Sequence, residues 1–267
     1  WFSQFDVIIG DEAHQFKSKS LIGIMSKLKD TKYRYGFTGT LSGSQTHKWV
    51  LEGLFGPSYK VTETKDLIDK GHLSKLDIQI ILLKHEPRKF ETYQEEIEYI
   101  ISHEKRNNFI KNLSLKLSGN TLILYSRVES HGEILYNSIN SSVNDERKVF
   151  FVHGGVDADE RESIREITEQ ENDAIIVASY GTFSTGINIR RLHNIVFASP
   201  SKSRIRNLQS IGRVLRRGEG KSIATLYDIA DDIGGQNYTL RHLNERVNIY
   251  NEENFKYEVI RVNFKAG

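Results

Sequence analysis

Two adjacent carboxylates, Asp11 and Glu12, follow the apolar run Val7 to Gly10. At a strand tip, neighbouring acids point in different directions. One can hold a magnesium ion through water while the other polarises an attacking water. A bare Asp-Glu pair is more often a solvated acidic turn, but "DEAH" after an apolar strand is more specific. No H-E-x-x-H occurs, so a zinc protease is not expected. A second element is "QSIGRVLRRG". Gln209, Arg213 and Arg216 are spaced by four and then three residues, within about 60° of one another on a helix. Leu208, Ile211 and Leu215 form a separate stripe, assigned to the core. Two arginines on a face away from the core can stabilise charge on a transferring phosphoryl group, and Gly212 lets a backbone or ligand come close. In the third element, "ASYGTFSTGINI", small hydroxyls and two glycines follow a buried strand. Such a loop can offer N–H groups and hydroxyls to a phosphate.

The elements that must position these groups alternate between strand and helix. "FDVIIG" reads as a buried strand, and "SLIGIMSKLKD" as a helix with Leu21, Ile24, Met25 and Leu28 inward. "YRYGFTGT" is strand-like, "HKWVLEGLFG" a short helix and "LDIQIILL" another strand. "KHEPRKFE", charged and containing Pro87, is the candidate linker. A long helical stretch follows, about Tyr93 to Leu117. Strands at "NTLILYS", "KVFFVHGG", "DAIIVASYG", "NIVFAS" and "SIATLYDIA" then alternate with helices, one from Arg204 to Arg217. Apolar, β-rich runs separated by helices predict an α/β fold with parallel sheets covered on both faces. The expected domains are 1–85, incomplete, and 86–267. In such sheets functional groups gather at the carboxyl ends of strands. Asp11-Glu12, Thr38-Gly39-Thr40, Ser126-Arg127, His153-Gly154 and Ser179 to Thr182 all follow strand-like runs.

Composition narrows the class. The 267 residues suffice for two modest domains. Hydrophobic and charged contents of 38% and 27% are ordinary for a globular protein, and the net charge is +2. Without cysteine, disulfides and thiolate metal sites are excluded. The longest apolar run, about Ile78 to Leu83, is too short to span a bilayer, so no membrane partner is expected. Arg190, Arg191, Lys202, Arg204, Arg206, Arg213, Arg216, Arg217 and Lys221 lie in a stretch whose one acid is Glu219. That local basic excess suits a polyanion. His47, His72 and His103 read as ordinary histidines. The chain opens with Trp1 and shows no signal segment, and the expectation is that the N-terminal part of a larger protein has been removed.

The order of these elements resembles the superfamily 2 helicases and translocases. "DEAH" looks like motif II, the Walker B acids. "FTGT" looks like motif III, "LILYSR" like motif IV and "ASYGTFSTGIN" like motif V. "QSIGRVLR" matches the motif VI pattern Q-x-x-G-R-x-x-R. "DLIDKGHLSKLDIQII" resembles the segment leaving the first motor domain in the branch containing the XPB-type proteins. The motif V and VI stretches most resemble the phage UvsW-type branch-migrating DNA helicases. The resemblance implies tandem RecA-like domains, with motifs II and III in the first and IV to VI in the second. It implies an ATP-dependent helicase using Mg²⁺ on single-stranded or branched DNA, with roles in recombination and repair, in the cytoplasm, the host's if the protein is phage-encoded. Asp11 would bind magnesium through water, Glu12 would activate the attacking water, and His14 would couple to Gln209. Thr38 and Thr40 would link nucleotide state to domain movement, and Gly186 and Asn188 would lie near the nucleotide. Arg213 and Arg216 would reach the γ-phosphate. Ser126, Arg127, Gly154 and Thr182 would line the nucleic-acid backbone.

The departure is that nothing matches G-x-x-x-x-G-K-[ST]. In the resembled family that phosphate loop precedes motif II, so the missing N-terminal part of the same protein is the expected partner. This chain alone is expected to be inactive in hydrolysis. The competing readings are an RNA helicase or restriction-type translocase motor, and a non-catalytic nucleic-acid-binding module.

Overall fold

A computed structural model describes residues 1–41, 44–144, 146–186, 189–218 and 220–264. The chain forms two compact units, Trp1–Thr62 and Glu63–Gly267.

In the first unit, β1 (Val7–Gly10) pairs in parallel with β2 (Tyr33–Gly36), Gly10 opposite Gly36. The crossover carries α1 (Lys19–Lys27), and α2 (Gln45–Phe55) follows β2. Ser18 caps α1 by accepting the Leu21 N–H. Met25, Leu28 and Leu51 form a small core. Two expectations need correcting. The strand "FDVIIG" is not buried: Val7 and Ile9 are 49% and 66% exposed, because alternate side chains share one face and no described residue covers it. Ile24 of α1 is likewise exposed.

Aromatic packing sets the tips of both strands. A Cβ on Gly10 would lie 2.9 Å from Phe55 Cζ and 3.0 Å from Phe16 Cζ. One on Gly36 would lie 2.9 Å from Phe55 Cγ. The absent side chains let the Phe16–Phe55 edge-on pair, 5.0 Å between centroids, close directly over the strand ends.

The second unit opens with α3 (Thr64–Asp69) and is built on a seven-stranded, all-parallel sheet. Its strands are β3 (Lys75–Lys84), β4 (Thr121–Tyr125), β5 (Val149–Val152), β6 (Ile175–Ser179), β7 (Asn194–Phe197), β8 (Ile223–Asp232) and β9 (Tyr257–Asn263). Their spatial order is β5-β6-β4-β7-β8-β3-β9. Between them run α4 (Tyr93–Ser102), α5 (Glu104–Lys116), α6 (Glu133–Asn140), α7 (Ala158–Gln170), α8 (Tyr180–Gly186), α9 (Arg204–Val214) and α10 (Tyr238–Glu252). Successive residues of one strand feed opposite cores. Leu122 and Leu124 pack with α7 to α10, whereas Ile123 and Tyr125 pack with α5 and α6. Burial on both faces accounts for the unbroken apolar strands.

The boundary expected at 85/86 falls instead at 62/63. β3 pairs with β8 from Lys75↔Ile223 to Lys84↔Asp232 and with β9 on its other side. The segment read as a linker is a loop inside the unit, with Arg88 N donating to the Ile233 carbonyl. His85 is buried, its Nε2 2.9 Å from Asp231 Oδ1. The long helix expected to Leu117 is two helices. His103 breaks them with an extended backbone and caps the second by accepting the Arg106 N–H. β9 was not foreseen, and "ASYGTFSTGINI", read as a loop, runs into α8 directly after β6.

Buried charges tie the helices to the sheet. Arg246 donates from Nε to Asp228 Oδ2 at 2.8 Å and from Nη1 to the Ser201 carbonyl at 3.1 Å. Tyr250 donates to the same Asp228 oxygen. The lost hydration is thereby replaced by paired hydrogen bonds. Because Ser201 lies just ahead of α9, this cluster also fixes where the arginine-bearing helix begins.

Candidate functional site

In the first unit, β1 delivers Asp11 and Glu12 to its carboxyl end, and β2 delivers Thr38 and Thr40 beside them. The Phe37 N–H donates to the Gly10 carbonyl and the Ala13 N–H to the Phe37 carbonyl, each at 2.8 Å. Asp11 and Glu12 are exposed, whereas His14 is 6% exposed. Glu12 holds a left-handed backbone, φ 48° and ψ 47°. Its N–H donates to Asp11 Oδ1 at 2.8 Å. A non-glycine residue in that conformation is strained.

His14 joins the two strand tips. Its Nδ1 lies 2.9 Å from Thr38 Oγ1 and 3.2 Å from Glu12 Oε2. Thr38 Oγ1 gives its own proton to the Thr40 carbonyl at 2.9 Å and accepts the Thr40 N–H at 3.2 Å. It must therefore accept from His14, which assigns the Nδ1–H tautomer. Burial lowers the His14 pKa, with His47 and Lys17 acting in the same direction and Glu12 opposing. The ring is neutral at pH 7, so its contact with Glu12 is not a salt bridge. Five predicted site residues, Asp11, Glu12, His14, Thr38 and Thr40, are thus brought together.

In the second unit the strand-end clusters sit as expected after β4, β5 and β6. The Ser126 N–H donates to Ser199 Oγ at 3.1 Å, and His131 Nδ1 lies 3.0 Å from the same oxygen. Burial pushes the His131 pKa down to about 3, keeping it neutral. Arg127 Nη1 lies 3.6 Å from Glu98 Oε1. Gly154 is exposed in the turn after β5. Thr182 is only 6% exposed, its hydroxyl 2.8 Å from that of Ser179. Gly186 is the last residue of α8, and Asn188 lies outside the described residues.

Ser203 caps α9 by accepting the Arg206 N–H. Gln209 and Arg213 are half-buried, and the Arg213 guanidinium stands 5.6 Å over the Phe183 ring of α8. Arg206 stands in the same way over Tyr180, at 5.7 Å. Phe183 and Tyr180 were not singled out from the sequence, although their spacing of three puts them on one side of α8. Ile211, Val214 and Leu215 are fully buried, but Leu208 is only half-buried. A Cβ on Gly212 would meet nothing within 4 Å, so no described neighbour requires that glycine.

Arg216 departs from its expected place. α9 ends at Val214, and Arg216 forms an isolated antiparallel bridge with Leu73. The Ser74 N–H takes the Leu215 carbonyl at 2.8 Å, and this pairing competes with a further helical turn. The 60° helical face therefore holds Gln209 and Arg213, and Arg216 reaches its position through the bridge.

The basic excess is also redistributed. Arg204 pairs with Glu252 and Glu253, and Arg191 bonds the Glu169 carbonyl and Asn172. Arg190, Arg191, Arg217, Gly218 and Glu169 line an open groove of about 500 Å³. Lys221 is buried. Acids distant in sequence thus offset part of the charge.

Among the described residues, no group of three or more His, Asp or Glu could hold a metal ion. A magnesium ion does not need one, because it keeps several waters and takes one or two carboxylates plus phosphate oxygens. The exposed Asp11, with one oxygen engaged by the Glu12 N–H, fits that demand. No helix among the described residues is long and apolar enough to cross a membrane.

Residues 104–218 match the helicase conserved C-terminal domain. Over 98% of its length the chain is 36% identical to the ATP-dependent DNA helicase UvsW of Enterobacteria phage T4. It spans 56% of that protein. The crystal structure of T4 UvsW superposes with a TM-score of 0.60 at 35% identity, covering 98% of this chain and 55% of the other. A DNA-bound type ISP restriction-modification enzyme, LlaBIII, shares the fold at a TM-score of 0.66 and 16% identity, over 98% of this chain and 22% of its own. The chain thus spans about half the length of the UvsW protein it matches; residues 104–218 are similar to a helicase C-terminal domain, and the fold is that of the superfamily 2 helicases.

Proposed function

We propose that the chain supplies motifs II to VI of an ATP-dependent DNA helicase or translocase acting on forked or branched DNA. Its phosphate-binding loop lies outside these 267 residues. The first unit is the motif II and III part of one RecA-like motor domain, and the second unit is the other. The observation that carries this reading is the bond from His14 Nδ1 to Thr38 Oγ1 beneath the strained Glu12. It links "DEAH" to "FTGT" directly, as a site sensing nucleotide state requires. Bound Mg²⁺ would supply charge stabilisation at the triphosphate, and Asp11 would hold it through water. Glu12 would take a proton from the attacking water. Arg213 and Arg216 would meet the γ-phosphate, with Gly186 and Asn188 near the nucleotide and His14 coupled to Gln209. Ser126, Arg127 and Gly154 would follow the DNA backbone, with Thr182 supporting them from beneath through Ser179. The resemblance to the DNA helicase UvsW supports DNA as substrate; roles in recombination and repair belong to the same proposal.

The test is Mg-ATP hydrolysis with forked DNA and with duplex RNA. The full-length protein should be stimulated by the fork and not by the RNA. These 267 residues alone should show no DNA-stimulated turnover, because a general base and a magnesium ion achieve little without a positioned triphosphate. They should still bind single-stranded DNA weakly, with affinity falling steeply as salt rises. Normal turnover by the 267-residue chain would sink the proposal, and so would a preference for RNA.

A further inference from the structure

Among the described residues, Lys221 is the one buried lysine, 4% exposed. Its Nζ donates to the Val214 carbonyl, to the Arg216 carbonyl at 2.9 Å and to the Arg190 carbonyl at 3.3 Å. An ammonium has three donors, and each has an acceptor here. Val214 ends α9, so its carbonyl has no partner within the helix, and a cation there also complements the helix dipole. Gly218 passes close to the Arg190 carbonyl: a Cβ there would lie 3.0 Å from that oxygen. Three segments thus converge on one ammonium: the end of α9, the backbone of Arg216 and the residues before β7. Burying a charge is costly, and a lysine kept here needs a reason beyond filling space.

We propose that Lys221 is a positioning residue for Arg216. Its ammonium locks the backbone that carries this arginine, so that the guanidinium stands ready at a nucleotide phosphate. This rests on the reading of Arg216 given above. Arg216 lies two residues beyond α9, and the bridge to Leu73 fixes one side of it. Lys221 fixes the carbonyl itself.

Burial holds the Lys221 pKa down to about 8, with Glu169 pulling the other way. Glu169 of α7, Arg190, Arg191 and His193 before β7, and Arg216 and Arg217 after α9 are the charged or titratable groups around it. His193 titrates below its ordinary 6.5, lowered by burial and by Lys221 and Arg191, so it does not overlap. Above pH 8 the amine keeps two N–H donors for three carbonyls, and the lock loosens. The fold does not loosen with it. The folded pKa is below the ordinary 10.5, so the unfolded chain binds more protons in this window, and stability from this group rises with pH. A fall in turnover above pH 8 therefore reports positioning.

The experiment uses the full-length protein, forked DNA and saturating Mg-ATP. Lys221→Met keeps the stem and removes the donors. Its kcat should fall about tenfold or more while KM for ATP stays within about threefold, as expected when a group placed for the transition state is displaced. Wild-type kcat should decline as pH rises through about 8, and Lys221→Arg, charged throughout, should not show that decline. A folded Lys221→Met with normal kcat overturns the proposal. If that variant does not fold, the wild-type profile decides, and a flat kcat from pH 7 to 9 overturns it. Arg216→Ala is the control. Unchanged turnover there removes the phosphate reading itself, and this inference with it.

Discussion

Arg213→Ala or Arg216→Ala in the full-length protein should lower DNA-stimulated ATP hydrolysis by about a thousandfold or more, the scale of an arginine finger. Binding of nucleotide and DNA should fall far less. The two side chains are held by different neighbours. Arg213 leaves α9 over the face of Phe183, and Arg216 leaves the backbone bridged to Leu73. Neither belongs to the buried set formed by Ile211, Val214 and Leu215, so truncation should leave the core packed. Steady-state hydrolysis beside a thermal melt separates the possibilities. Near-normal turnover, or loss of the fold in both variants, would return these residues to the class of structural basic side chains.

Glu12→Gln should trap ATP. The amide keeps the shape of the strand tip, leaves Asp11 to hold magnesium and retains an acceptor facing His14. It removes the carboxylate proposed to take a proton from the attacking water, a contribution of about a hundredfold or more. ATP should bind and persist, and DNA should be held more tightly with Mg-ATP than without nucleotide. Asp11→Asn should differ, because it weakens the metal site and with it productive triphosphate binding. DNA affinity with and without Mg-ATP, measured on both variants, distinguishes them. If Glu12→Gln hydrolyses ATP at the normal rate, the acid pair is only a strand end.

Which parts of the molecule were legible in the sequence follows from what local patterns encode. The five strands from β4 to β8 stood out because a parallel strand buried on both faces is a short, unbroken apolar run. The same run cannot say which sheet it joins. "LDIQIILL" looked like the end of the first domain, yet its partners are β8 and β9, well over a hundred residues ahead. Pro87 and its charged neighbours mark a loop, and a loop is not necessarily a boundary. Helical spacing placed Gln209 and Arg213 correctly but could not see where α9 stops, because the competing partner of Leu215 is Ser74. The exposed Val7 and Ile9 show the limit of reading burial from hydrophobicity, since a strand is covered only where something packs on it. Lys221 was counted with the surface charges. Its burial depends on three carbonyls that meet only in the fold. The position of the acid pair and the two threonines was legible because they follow short strands directly, although the contact His14 makes to Thr38 needed the parallel pairing of β1 with β2.

The most direct measurement of the central proposal, that Glu12 and Arg213 serve one phosphoryl transfer, is a double-mutant cycle. Single-turnover Mg-ATP hydrolysis on forked DNA would be measured for the full-length wild type, Glu12→Gln, Arg213→Ala and the double variant. Groups acting together at one transition state are strongly non-additive. The double variant should therefore be slower than the worse single variant by no more than a few-fold. Losses that multiply, about a hundredfold on top of a thousandfold, would show that Glu12 and Arg213 act independently and would contradict a shared site.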